Sequence, residues 1–263
     1  MERLLLLRLA SVGCVAEARL NDFSLGRTPP AGGTLTLAVP EYVLEGDNDL
    51  VLVVDPVALG AQPPPRLATV DSAASLQLLL PRIGALGSAA AARTLASVDW
   101  AAAEGSVIAE PVVVRRQVAI PVRFPRWRWL DAPPIADPQA AQPLAAAFVQ
   151  SMALALARGD AEPFLAAARL RFEELALAYQ KPPAELAARW RSRIQLLHAG
   201  KALRPVLPAL ADVAVQPCAG GRLLDCLSIT GEPALRTEPA PDGTRHAWPM
   251  RIAVVDGQCH ILR

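Results

Sequence analysis

Ala18-Arg-Leu-Asn-Asp-Phe-Ser-Leu-Gly26, then Thr34-Leu-Thr-Leu-Ala-Val39, then Leu44-Glu-Gly-Asp-Asn-Asp-Leu-Val-Leu-Val-Val54, is the stretch that decides the fold. Ala16, Ala18 and Leu20 alternate with Val15, Glu17 and Arg19, the period of two expected of a half-buried strand. Asn21-Asp22 supplies turn chemistry, and Phe23 to Gly26 starts a return strand. Leu35, Leu37 and Val39 alternate with Thr34, Thr36 and Ala38. Gly46-Asp-Asn48 reverses the chain, because Gly and Asn tolerate positive φ. Leu50 to Val54 is wholly apolar and predicts a central strand buried on both faces.

Working outward, residues 3–10 predict a first strand. The start, Met1-Glu-Arg-Leu-Leu-Leu-Leu-Arg-Leu-Ala-Ser-Val-Gly-Cys14, superficially resembles an export signal ending in a lipoprotein cysteine. Glu2 and Arg8 count against it: one weakens the basic region and the other interrupts the apolar run. A cytoplasmic location is expected, with a periplasmic one as the alternative. Downstream, Pro63-Pro-Pro65 punctuates, Arg66 to Leu80 is strand material, and Ile83 to Ala92 reads as a loop. Arg93 to Trp100 and Val107 to Phe124 are further strands, Val112 to Ile120 being the most β-branched segment. Many short strands separated by Gly/Pro turns predict an antiparallel β-sandwich over residues 1–133.

Beyond Pro138 the period becomes 3.6. Leu144, Phe148 and Met152 mark a helix ending near Gly159. Asp160 caps a second, with Pro163 in its first turn and a stripe of Phe164, Ala168, Phe172, Leu175 and Tyr179. Leu186, Trp190, Ile194 and Leu197 give a third, closed by Gly200. Strands are then expected at 210–217, 222–230, 234–237, 247–255 and 259–262, with Asp256-Gly257 as a type I′ hairpin turn. The expectation for residues 134–263 is an α+β domain of about three helices and an antiparallel sheet.

The 263 residues carry a formal net charge of +1. Residues 1–133 hold 12 basic against 13 acidic side chains and residues 134–263 hold 14 against 12, so neither part has the basic excess of a nucleic-acid binder. No run of about 18 apolar residues occurs. Cys14, Cys218, Cys226 and Cys259 are too scattered for a disulfide scaffold, and a reducing compartment follows. No phosphate loop, dinucleotide fingerprint or nucleophile elbow is present. His198, at a helix end, and His246 and His260 lie in no catalytic signature. A zinc site of Cys218, Cys226, Cys259 and His260 is conceivable across adjacent strands but lacks a finger spacing. Glu173-Glu174 reads as a solvated helix face, since adjacent helical residues point about 100° apart. No metal, cofactor or catalytic residue is assigned.

Two local features are candidate partner-binding sites. Arg126-Trp-Arg-Trp129 alternates two residue types enriched at interface hot spots. Its other reading places Trp127 and Trp129 under a domain junction with Arg126 and Arg128 in water. Asp47 and Asn48 sit on the turn before the central strand, where they would form a docking rim.

Ala18-Arg-Leu-Asn21 followed by Tyr42-Val-Leu-Glu-Gly-Asp-Asn-Asp-Leu50 resembles the galactose-binding-like jelly roll that accompanies family 2 glycoside hydrolases. Leu44, Gly46, Asn48 and Leu50 match that pattern, while Asp22 stands where the family has glycine. The resemblance implies a jelly-roll-like sandwich and leaves sugar binding open. From Pro138 to Arg263 the order of elements resembles the nuclear transport factor 2-like cone, whose enzymes use an Asp/His pair not identifiable here. The whole looks similar to bacterial immunity proteins that neutralise a toxin delivered by type VI secretion. That likeness implies a non-catalytic protein that binds a cognate effector and occludes its active site. The alternatives are a carbohydrate-binding accessory protein and an enzymatic cone.

Overall fold

The computed structural model describes residues 4–57, 66–68, 71–81, 92–120, 123–240 and 242–263. The expected punctuation at Pro63–Pro65 and nearly all of the loop expected at 83–92 lie outside them. The chain divides into two units, Met1–Arg126 and Trp127–Arg263.

The described residues of the first unit are mostly β, with one 3-10 turn at Pro40–Tyr42. Its strands are β1 (Leu6–Val12), β2 (Ala16–Leu20), β3 (Phe23–Arg27), β4 (Gly32–Ala38), β5 (Gly46–Val54), β6 (Arg66–Leu67), β7 (Ala73–Pro81), β8 (Ala92–Ala101), β9 (Val107–Ile108) and β10 (Val112–Ile120). Two four-stranded antiparallel sheets, β4-β1-β7-β8 and β10-β5-β2-β3, form the sandwich. β6 and β9 pair separately. The strand expected from Val107 to Phe124 is interrupted at Glu110-Pro111, because proline has no N–H for a ladder.

β5 lies between β10 and β2, as its apolar run predicted. Leu50, Leu52 and Val54 are fully buried, with Leu7 and Leu9 of β1, Leu20 of β2 and Leu76 and Leu78 of β7 also in the core. Each such leucine is worth about 1.5–3 kcal/mol over an exposed one. Asn21 and Asp22 both have positive φ, the type I′ geometry that joins β2 to β3.

One expectation for β2 fails. Glu17, placed on the solvent side by its alternation, is fully buried. The Nε atoms of Arg19 and Arg27 each donate to a different oxygen of its carboxylate at 2.5 Å. Arg19 follows on the same face of β2, and Arg27 lies directly opposite Glu17 on β3. Two guanidinium donors thus satisfy both oxygens of a carboxylate that has no contact with water.

Where about three helices were expected, the described residues of the second unit form four α-helices, the second expected one being divided: α1 (Pro138–Ala157), α2 (Glu162–Ala167), α3 (Arg169–Tyr179) and α4 (Pro183–Ala199). The helix expected from 160 to 179 kinks at Ala168, whose φ and ψ are −96° and 10°. Bonds from Ala168 N to Phe164 O and from Phe172 N to Ala168 O are both kept, so the stripe continues through the kink. Asp137 caps α1 by accepting from the N–H groups of Gln139 and Ala140.

The sheet is β11 (Val213–Cys218), β12 (Leu223–Ser228), β13 (Arg251–Val255) and β14 (Gln258–Ile261), antiparallel in chain order. Asp256 and Gly257 both have positive φ, as a type I′ turn requires. In place of the strand expected at 234–237, Arg236 and Thr237 make isolated bridges to Ala247 and Pro205. Val149, Met152 and Leu156 of α1, Phe164, Phe172, Ile194, and Val215, Leu224 and Ile252 of the sheet share one core. Trp190 stacks on Phe164 at 4.2 Å between centroids and meets Phe172 edge-on.

Candidate protein-docking surface

The arginine–tryptophan motif divides by side chain. Trp127 and Trp129 are buried, while Arg126 and Arg128 are exposed. Trp127 begins the second unit, and Arg263 sits over its ring at 5.3 Å. The Arg263 guanidinium pairs with Glu174 of α3. The other oxygen of Glu174 accepts the backbone N–H of Arg128 at 2.5 Å. Glu174 is therefore a buried anchor, correcting its placement on a solvated face. The correction has a helical cause: Phe172 and Ala176 bury one side of α3, and Glu174 and Ala178 bury another. Glu173, its neighbour, does lie outward and bridges Arg169 at 2.5 Å and Arg128 at 2.8 Å.

Asp47 and Asn48 also separate. Asp47 is exposed and Asn48 is 1% exposed. The Asn48 amide accepts from Leu44 N and Asn21 Nδ2, both at 2.7 Å, and donates to Leu44 O and Gly46 O at 2.9 and 2.8 Å. Asn21 in turn donates to Tyr42 O and accepts from Asp49 N. The turn expected at Gly46-Asp-Asn48 is instead the start of β5, paired with Val118 to Ile120 of β10 and with positive φ at Gly46 alone, and the two asparagines form one satisfied polar knot there. Asn48, Trp127 and Trp129 are spent inside the fold. Arg126, Arg128 and Asp47 keep an exposed surface.

Among the described residues no group of three or more His, Cys, Asp or Glu side chains is placed to hold a metal ion. The four conceivable zinc ligands are not assembled. All four cysteines are free thiols. Burial pushes the Cys226 thiol well up, and raises that of Cys259 to about 11. Neither is poised as a nucleophile at neutral pH. The imidazole of His198 packs onto Gly159, and that of His246 lies 3.4 Å from Arg193. Asp242 has its carboxyl lowered chiefly by the Thr244 N–H.

The sequence reading missed an apolar surface on the second unit. α1 carries no charged residue over its length. It is long and apolar enough to cross a membrane by length and composition, although polar residues interrupt its apolar runs. In the structure Ala145, Val149, Met152 and Leu156 face the core. Pro143, Leu144, Ala147, Ser151 and Leu154 all face outward. At about 100° per residue these five fall within roughly 100° of one another, a continuous uncharged strip. Leu154 is 48% exposed.

The segment beside that strip is held by two glutamines of the same helix. Gln150 Nε2 donates to Pro208 O at 2.7 Å, and Gln142 Nε2 to the carbonyls of Leu210 and Val213 at 2.8 Å. Leu207 and Leu210 of this fastened segment are 56% and 47% exposed. A signal existed: a 20-residue helix with no charge cannot both bury one stripe and present the usual charged face to water.

No family model, curated protein or solved structure matches the chain.

Proposed function

We propose that the protein acts by binding another protein, without catalysis, through the uncharged face of α1 and the adjoining Leu207–Leu210 segment. The supporting observation is the exposure of Leu154 on α1 and of Leu207 and Leu210 on the segment that Gln142 and Gln150 of the same helix hold in place. Aliphatic side chains exposed on a rigid frame favour association, because covering them releases water at about 25 cal/mol per Å² with little ordering cost. Arg158, just past the end of α1, gives the strip a charged rim.

The concrete form of this reading is an immunity protein that binds and blocks a cognate toxin. Two near-neutral units and the absence of a recognised catalytic motif in the sequence support it. The test is co-expression with the product of the adjacent reading frame. A complex, and survival of cells otherwise killed by that product, is expected. Leu154→Asp and Leu207→Asp should each abolish both while the circular dichroism spectrum stays unchanged. Survival and complex formation that persist in the double variant would refute this face. No complex and no protection with the parent chain would refute the immunity reading.

A further inference from the structure

The four edge strands of the sandwich differ in how they discourage pairing. β3 carries Arg27 and faces a β2 whose register shifts between Ala18 and Arg19. β8 carries Arg93 and Asp99, and its register with β7 shifts next to Leu95. β10 carries Arg115 and Arg116 at its middle. Charges and bulges on edge strands are the devices that prevent a second chain from adding to a sheet. β4, Gly32-Gly-Thr-Leu-Thr-Leu-Ala38, has no charge, no proline and no break in its register with β1.

Its hydrogen-bonding direction follows from one contact. Val39 N donates to Leu5 O, so 5 and 39 are a hydrogen-bonded pair, and alternation makes 7–37, 9–35 and 11–33 the same. The N–H and C=O groups of Thr34, Thr36 and Ala38 therefore point away from β1, and all three residues are exposed. Between them Leu35 and Leu37 are only half-buried at the lip of the sandwich.

We propose that β4 pairs antiparallel with β4 of a second copy of this chain, about a two-fold axis at Thr36. The register is self-complementary. Thr36 faces its own symmetry mate, Thr34 faces Ala38 of the other copy, and Leu35 faces Leu37. Thr–Thr and aliphatic cross-strand pairs are favourable, and a neutral strand meets no like charge when it meets itself. Two four-stranded sheets become one of eight, and the outward backbone groups of Thr34, Thr36 and Ala38 are satisfied in both copies. The proposal is independent of the docking face on α1.

The test is the molar mass of the full chain by sedimentation or light scattering across a dilution series, for the parent, Thr36→Lys and Thr36→Pro. Both substitutions fall on an exposed residue whose N–H makes no bond to β1, so the monomer fold is kept; circular dichroism and the melting temperature at low concentration check this. The parent should reach twice its 27.9 kDa, and both variants should stay at one chain mass at every concentration. Thr36→Cys should form a covalent dimer on mild oxidation, since hydrogen-bonded antiparallel partners lie about 5.5 Å apart between Cα atoms, within disulfide reach. Val113→Cys on β10 should not. A parent that is monomeric throughout, or a dimer that survives Thr36→Lys, overturns the proposal.

Discussion

Replacing Glu174 by leucine should unfold the second unit far more easily than its place on a helix suggests. The carboxylate holds the buried Arg263 guanidinium with one oxygen and the Arg128 N–H with the other. Removing it takes the carboxylate from an Arg263 guanidinium that is 1% exposed, at a cost of about 3–5 kcal/mol, and the loss of the Arg128 bond adds about 1–3 kcal/mol. The double variant Glu174→Leu with Arg263→Met removes the guanidinium as well while keeping the volume. Apolar replacement of a buried pair is often neutral or better, so the double variant should recover most of the loss and retain only the cost of the Arg128 N–H. Urea unfolding followed by tryptophan fluorescence is the assay. Four of the five tryptophans, Trp127, Trp129, Trp190 and Trp248, lie in the second unit, which therefore dominates the signal. A single variant within about 1 kcal/mol of the parent, or a double variant as unstable as the single, would refute the assignment of this pair as a buried, mutually compensating charge.

Three further outcomes are expected. Asn48→Asp should cost about 2–4 kcal/mol in the urea transition of the first unit, because an oxygen would replace the amide donors that face Leu44 O and Gly46 O. Gly159→Ala should lower the melting temperature of the second unit: φ there is +73°, and the new Cβ would lie 2.6 Å from the His198 ring, for a combined loss of about 1–3 kcal/mol. Stability should fall as pH rises from about 9 to about 11, because the Cys259 thiol ionises near its ordinary 9.0 when unfolded and only near 11 when folded. The unfolded chain binds fewer protons across that window, so it is favoured there, and Cys259→Ser should flatten the slope in an alkaline melting series.

Periodicity made the architecture legible. The two-faced burial of Leu50 to Val54, the turn at Asn21-Asp22 and the hairpin at Asp256-Gly257 all follow from local chemistry, since alternation and positive-φ residues act over a few positions. The break at Pro111 follows from a residue in plain view, since proline has no N–H for a ladder. The kink at Ala168 had no proline or glycine to announce it. The candidate site was less legible. The arginines of Arg126-Trp-Arg-Trp129 are exposed, but both its tryptophans are buried, and the ring of Trp127 is covered by Arg263, more than a hundred residues away. No window centred on the motif contains that partner.

Three buried polar side chains show where reading by pattern stops. Glu17, Asn48 and Glu174 each occupy a position that a rule of residue type would give to solvent, and each is buried. Their partners lie at increasing distance along the chain. Glu17 is held by Arg19 on its own strand and Arg27 on the next, a pairing that the Asn21-Asp22 hairpin alone would reveal. Asn48 is held by the backbone of Leu44 and Gly46 just before it and by Asn21, which requires β2 and β5 to be neighbours. Glu174 needs Arg263, and hence the whole second unit. Burial of a polar group is a property of its partner as much as of itself, because desolvation is tolerated only where the bond waits. The exposed leucines of α1 are the converse. Leu144 and Leu154 keep 37% and 48% of their surface open, and that uncovered apolar surface is the argument for a partner.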